Sequence, residues 1–303
     1  MYKEDRNILG ISIALLTALA WAGSSTILKF LSAKIDTLPL NAIRLWVGSL
    51  ILLSFVFLSG RGDDFVHTPE LSLVCVIASG IVAIAIGDTV YIKSLSFLDV
   101  SRAFPIGQCT FPILTMFIAI LLLGEAFTWL TGIGAGLVVL GIYFVAAAGR
   151  RSQTSQATKG MSWKGVILAL TAAVAWTIGA TILKIGIIDM DPFVAAAIRI
   201  PASTIVLTCF ILGQKKAVVL QVNKYGFRNI VLAVAAGVLT YGVAAVGYVM
   251  AMQLIGAGKT VLLTAIAPLF ILPFSIFILK ERPTRYSIAG IFICVSGVYL
   301  VSI

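Results

Sequence analysis

Apolar runs of about 20 residues, the length that crosses a bilayer core as a helix, recur ten times along this chain. They lie at 8–28, 39–59, 71–92, 101–123, 127–147, 163–184, 193–213, 229–252, 259–279 and 285–302. Soluble domains carry roughly 25% charged residues, whereas this chain has 11% charged and 60% hydrophobic residues. Lipid is therefore its solvent. A membrane β-barrel would alternate apolar and polar residues in segments of about ten; these runs are continuously apolar. The expectation is an all-α polytopic membrane protein with ten transmembrane helices.

The chain also repeats itself. Residues 20–44 and 175–199, laid over each other at an offset of 155, agree at ten of 25 positions, with WAGSSTILKF answered by WTIGATILKI. At an offset of 157 Gly80 matches Gly237 and Tyr91 matches Tyr248. At 156 Pro112 matches Pro268, Glu125 matches Glu281, Gly141 matches Gly297 and Tyr143 matches Tyr299. This divides the chain into a first repeat, 1–149, a polar linker, 150–160 (RRSQTSQATKG), and a second repeat, 161–303. The first run resembles a signal peptide, with Lys3 and Arg6 ahead of it and Ala18-Leu19-Ala20 as a cleavage-like site. Its copy in mid-chain argues that it is retained.

Five spans per repeat is an odd number, so the second copy enters the membrane from the opposite side. The expected architecture is two inverted-topology repeats of five helices. A cavity between such copies can open to either face by rocking about a midplane site, the mechanics of a secondary transporter.

Candidate ligands for a solute come from polar and aromatic residues inside the runs. Trp21, Ser25 and Lys29 follow at i+4, a stripe that faces a cavity in one reading; in the other, Lys29 and its counterpart Lys184 snorkel to water. Trp176, Ala180 and Lys184 form the second stripe. Arg44 and Arg199, close to the start of their runs, either anchor to headgroups, the preferred reading, or close the cavity's edge. Asp88 is the only carboxylate well inside a span. An ionisable group there costs about 2.5–3.5 kcal/mol on insertion scales and faces protein or water. Tyr91, one turn on, shares its face; the competing reading pairs Asp88 with Lys93 or another basic side chain. Gln108, Tyr241 and Tyr248 complete the candidate substrate-binding set, although interfacial tyrosines are also common belt residues.

Pro105, Pro112, Pro201, Pro268 and Pro273 fall within runs, where each frees a carbonyl and permits a bend. Gly132, Gly134 and Gly136 let the fifth helix approach a neighbour or a second copy of the chain, which would make a homodimer. The four cysteines, Cys75, Cys109, Cys209 and Cys294, have no metal spacing and read as small buried residues. With His67 the sole histidine, in a loop, zinc and histidine-based chemistry lack parts. GAGKT at 256–260 lacks the earlier glycine of a phosphate loop, Gln253 standing there. IGD at 86–88 follows Ala85 and has no second intramembrane aspartate. No cofactor is expected.

The order of these elements resembles the EamA-type branch of the drug/metabolite transporter superfamily. The first half offers a first-helix Trp and Lys, an Arg in the second helix, Tyr91 in YIKSL, Pro112 in TFPIL, LLLGE at 121–125 and GIGAGLVVLGIYF at 132–144. Its echoes in the second are Tyr248 in YVMAM, Pro268 in IAPLF, LKE at 279–281 and AGIFICVSGVYL at 289–300. Lys280, where the first half has Gly124, and Pro201, without a counterpart, depart from the pattern. The resemblance implies a gradient-driven ten-helix exporter or exchanger of small metabolites, held by the first, third and fourth helices of each half. It also implies that Glu125 and Glu281 close the fourth and ninth helices as caps.

The function expected is transport of small polar metabolites, such as amino acids or related carboxylates. Cationic drug export is the alternative, weakened because neither 8–28 nor 163–184 holds an acid. A membrane-embedded enzyme would need a clustered nucleophile, base or metal set, and none is visible. The formal charge of +10 is spread over loops beside spans, which suits anionic lipid rather than nucleic acid. Loop charges, including Arg150, Arg151, Lys215 and Lys216, put the termini outside by the positive-inside rule, whereas the resemblance puts them in the cytoplasm. Both agree that the termini share one side. The compact chain suits the plasma membrane of a prokaryotic cell.

Overall fold

The computed structural model describes residues 3–123, 129–147, 162–187, 190–213, 222–256, 260 and 263–301. Glu125, the 150–160 linker, Lys215 and Lys216 lie outside the described residues. In lipid no water is at hand to bond a free backbone group, and helices bond their own. The described chain is accordingly helical. Its main helices are α1 (Lys3–Leu31), α2 (Thr37–Leu58), α3 (Glu70–Leu95), α4 (Val100–Leu123), α5 (Trp129–Ala147), α6 (Trp163–Gly186), α7 (Pro192–Gly213), α8 (Phe227–Ile255), α9 (Ala267–Phe277) and α10 (Arg285–Val301). A one-turn helix, Gly62–Val66, follows α2. Among the described residues six are long and apolar enough to cross a membrane, namely α1, α2, α3, α6, α7 and α8; apolar helices within α5, α9 and α10 are shorter.

Two features depart from the sequence reading. The run 259–279 is not one helix: a turn at Ala265 and Ile266 precedes α9, and Pro268 sits in the first turn of α9 rather than within a helix. Proline's missing N–H is harmless there. Its counterpart Pro112 lies inside an unbroken α4, as do Pro105 in α4, Pro201 in α7 and Pro273 in α9 within their own helices. Second, α3 and α8 each contain a wide π-helical segment, Ile81–Asp88 and Val238–Ala244, at matching places in the two repeats. Gly80 and Gly237 stand immediately before them.

Those glycines show how the repeats interlock. A Cβ on Gly80 would meet the Arg199 carbonyl oxygen of α7 at 2.5 Å, and one on Gly237 would meet the Arg44 carbonyl oxygen of α2 at 2.8 Å. Each repeat thus presses its third helix onto the arginine turn of the other's second helix. Exchange of partners runs through the whole molecule. The first helix of each repeat packs on the third and fourth helices of the other, α1 on α8 and α9, α6 on α3 and α4. The Ser49 and Thr204 hydroxyls, 155 residues apart and therefore equivalent, meet at 2.8 Å where α2 crosses α7. From that point α2 runs on through Phe55, whose ring lies 4.4 Å from that of Phe193, and just beyond its end Arg61 pairs at 3.2 Å with Asp191, which precedes α7. Partners descend as residues ascend, so α2 and α7 are antiparallel.

The pair α5 and α10 obeys the same rule. A Cβ on Gly141 would meet the Gly290 carbonyl at 2.6 Å and one on Gly297 would meet the Gly134 carbonyl at 2.6 Å. Between them the Cys294 thiol contacts the Val138 carbonyl at 3.6 Å. Of the glycine ladder read from sequence, Gly134 approaches α10 together with Gly141, seven residues on, whereas among the described residues nothing lies within 4 Å of a Cβ on Gly136, two residues away and so on a different face. Cys209 also departs from expectation, being exposed on α7, whereas Cys109 and Cys294 are buried.

Candidate functional site

One cavity of about 120 Å3 lies between the repeats, lined from α1, α2, α3, α4, α6, α7 and α8. A water site takes roughly 10–15 Å3 counted in the same way, so the space suits a small solute. All eight residues singled out from sequence line it. Trp21 and Ser25 come from α1, Asp88 and Tyr91 from α3, Gln108 from α4, Trp176 from α6, and Tyr241 and Tyr248 from α8. Its aromatic walls are two crossed pairs. Trp21 lies 5.4 Å from Tyr248, centroid to centroid, and Trp176 lies 5.4 Å from Tyr91. Each pair joins the first helix of one repeat to the third of the other, and such offset or tilted rings pack favourably.

Asp88 is the centre of a bonded cluster. Its Oδ1 accepts from Trp176 Nε1 at 2.9 Å, its Oδ2 accepts from the Tyr241 hydroxyl at 2.7 Å, and Arg44 Nη2 lies 3.9 Å away. Of the two forms of the competing reading, pairing with Lys93 is not seen among the described residues, its ammonium standing over the Phe97 ring, whereas pairing with another basic side chain is, through Arg44. Burial of Asp88 makes an acceptor-only group dependent on such donors. The π segment ends at Asp88, and wide turns of this kind recur at functional sites because they re-aim side chains.

Arg44 corrects the anchoring assignment. Its side chain is 2% exposed, and it reaches no headgroup. Nη1 donates to Asn41 Oδ1 at 3.0 Å and Nη2 to Thr240 Oγ1 at 3.1 Å. Thr240 then donates to Ser24 Oγ at 2.6 Å, and Ser24 to the Ala236 carbonyl at 3.1 Å. Asn41 Nδ2 donates to Thr89 Oγ1 at 2.9 Å, and Thr89 to the Ala85 carbonyl at 2.6 Å. Both chains end on a backbone carbonyl, which is how a buried polar network closes. The guanidinium also stands 4.9 Å from the Tyr241 ring centroid. Asn41, Thr240 and Ser24 were missed from sequence, where small polar residues in apolar runs carry no distinct signal. Arg199 likewise lines the cavity from α7 rather than anchoring at a surface.

Lys29 is absent from the lining. Its ammonium caps the end of α3, donating to the Leu95 and Leu98 carbonyls at 2.9 and 2.8 Å, with Asp99 at 3.9 Å. Cations suit helix C-termini, where carbonyls are left over. Lys184 is exposed. Glu281 does the converse for α4: the Val100 and Ser101 N–H groups donate to its carboxylate at 3.1 and 3.3 Å. Burial, and then the neighbouring Asp99, raise the Glu281 carboxyl above its ordinary range against the lowering pull of these donors. Among the described residues no group of three His, Cys, Asp or Glu is placed to hold a metal ion.

The sequence model of the EamA-like transporter family matches residues 8–147 and again 163–303. The chain belongs to that family. This EamA-like protein is a multi-pass membrane transporter built of two repeats. It is 22% identical over 293 residues to an uncharacterized transporter of Archaeoglobus fulgidus, covering 97% of this chain and 98% of that protein. A solved structure described as "Crystal structure of protein" shares the fold with a TM-score of 0.64 and 17% identity, over 99% of this chain and 96% of that one.

Proposed function

We propose that this EamA-like protein is a ten-helix secondary transporter, an exporter or exchanger of small polar metabolites such as amino acids or related carboxylates. It works in the plasma membrane, as two inverted repeats of five helices that expose the central cavity to each face in turn. The observation that carries the reading is the cavity itself. It lies between the repeats, draws matched Trp–Tyr pairs from both, and has three charged residues in its lining, Arg44, Asp88 and Arg199. Antiparallel packing of α2 on α7 and of α5 on α10 supports the inversion, because an axis in the membrane plane relates equivalent helices that run in opposite directions. The residues proposed to contact solute are Trp21, Ser25, Asp88, Tyr91, Gln108, Trp176, Tyr241 and Tyr248. No catalytic step is assigned to them.

Counterflow in liposomes tests this. Purified protein preloaded with a mixture of unlabelled amino acids and organic acids accumulates at least one labelled counterpart. Asp88→Asn, which weakens the Trp176, Tyr241 and Arg44 cluster, abolishes or sharply lowers that flux, while Lys34→Gln, on the surface beside Phe30, leaves it intact. Flux unchanged in the Asp88 variant removes the site, and absence of flux for every solute removes the function.

A further inference from the structure

The two repeats place an arginine at equivalent positions, yet only Arg44 has partners among the described residues, and they take its Nη groups while its Nε, like that of Arg199, has none. Around Arg44 stand Asn41, Thr240, Tyr241 and Asp88. Carried over by the repeat offsets of 155 and 157, those four positions become Ala196, Ala83, Ile84 and Ala245 around Arg199. Every internal partner has been replaced by an apolar side chain, and Ala83, Ile84 and Ala245 all line the cavity beside Arg199. The Arg199 side chain makes no hydrogen bond or ion pair with any described residue, and its Nε is buried without a partner. The Tyr248 hydroxyl, which lines the same cavity, is likewise buried without one.

A cation inside a membrane-spanning bundle is costly unless something supplies its counter-charge. Lipid headgroups cannot do so inside the cavity, and Asp88 is engaged by Arg44, Tyr241 and Trp176. Two guanidiniums and one carboxylate leave the lining with a single unbalanced positive charge. We infer that Arg199 is the anchor for a carboxylate on the solute, which takes the place of the aspartate that Ala245 withholds. Guanidinium forks and carboxylates match as paired hydrogen bonds, and the Tyr248 hydroxyl is a third donor at hand. One unbalanced charge selects a monoanion over a doubly charged phosphate. The Trp and Tyr walls select an apolar body. The preferred solute is therefore a small monocarboxylate of net charge −1. This rests on the transporter reading only in calling the bound anion a solute.

The test uses the full purified chain and three probes of one shape: 3-phenylpropionate, its neutral amide and the cationic 3-phenylpropylamine, with acetate as the minimal carboxylate. Binding is read from the fluorescence of the cavity tryptophans and from thermal shift. Wild type binds 3-phenylpropionate in preference to the amide and does not bind the amine. Arg199→Gln weakens 3-phenylpropionate by at least about thirtyfold, the scale for breaking a desolvated charge pair. Ala245→Asp, which supplies Arg199 with an internal partner, abolishes binding in the same way. Arg199→Gln itself unfolds no earlier than wild type, because it removes an unpaired charge, whereas Arg44→Gln unfolds earlier. Equal binding of the three probes, carboxylate binding unchanged in Arg199→Gln, or no response to either carboxylate at the solubility limit overturns the assignment. Carboxylate binding without flux in any assay keeps the anchor and defeats the carrier; flux of solutes lacking a carboxylate, with no carboxylate binding, does the reverse.

Discussion

Gly237→Ala probes the interlock between the repeats with one carbon atom. The added Cβ would stand 2.8 Å from the Arg44 carbonyl oxygen, 3.0 Å from its Cα and 3.3 Å from its carbonyl carbon. All three are backbone atoms of α2, so no side-chain rotation relieves the clash and the helices themselves must part. Overpacking of this kind costs about 1–3 kcal/mol, and rigid backbone neighbours place the cost near the upper end. Alanine returns about 1 kcal/mol as a better helix former, for a net loss of ~1–2 kcal/mol. Gly136→Ala is the matched control, since nothing lies within 4 Å of its Cβ; it keeps the propensity gain and stabilises by about 0.5–1 kcal/mol. Equilibrium unfolding of the two purified variants in the same mixed micelles should separate them by about 1.5–3 kcal/mol. Equal stabilities would refute the close approach of α8 to the Arg44 turn.

Two further outcomes concern the loop after α9. The folded-state carboxyl of Glu281 titrates above its ordinary range, so between the ordinary and the raised value the native protein holds a proton that the unfolded chain has lost. Stability therefore falls as pH rises through that window, and Glu281→Gln flattens the slope; parallel wild-type and variant curves of melting temperature against pH would contradict it. Lys280 has φ +55, a left-handed backbone that costs a side-chain-bearing residue about 1–2 kcal/mol. Lys280→Gly relieves that strain at some cost in unfolded-chain entropy, for a gain of about 0.5–1 kcal/mol in the same unfolding measurement. A loss instead would mean that Lys280 makes a contact worth more than its strain.

What could be read in advance divides along physical lines. Of the ten expected spans, six are helices long and apolar enough to cross a membrane among the described residues; the helical membrane character and the two repeats, which follow from residue type and spacing, were legible. So were Trp21, Tyr91, Trp176 and Tyr248, because large rings in matching registers of a doubled chain have to meet something equivalent. The arginines were misread because an Arg seven residues into a helix looks the same whether it turns outward to headgroups or inward to Asp88. Only the neighbour's sequence, Gly237 or Thr240 some two hundred residues away, decides between them. The π segments left no trace in continuous apolar runs with no periodicity to shift. Lys280 was visible as a departure from Gly124, and its backbone is left-handed, a conformation that glycine adopts more readily.

The hydroxyl contact between Ser49 and Thr204 has a mechanical meaning. These residues are each other's images under the repeat offset, so an axis relating the halves passes through their contact. In the proposed cycle that axis exchanges the state open to one face with the state open to the other, so a contact on it maps onto itself and can be kept in both.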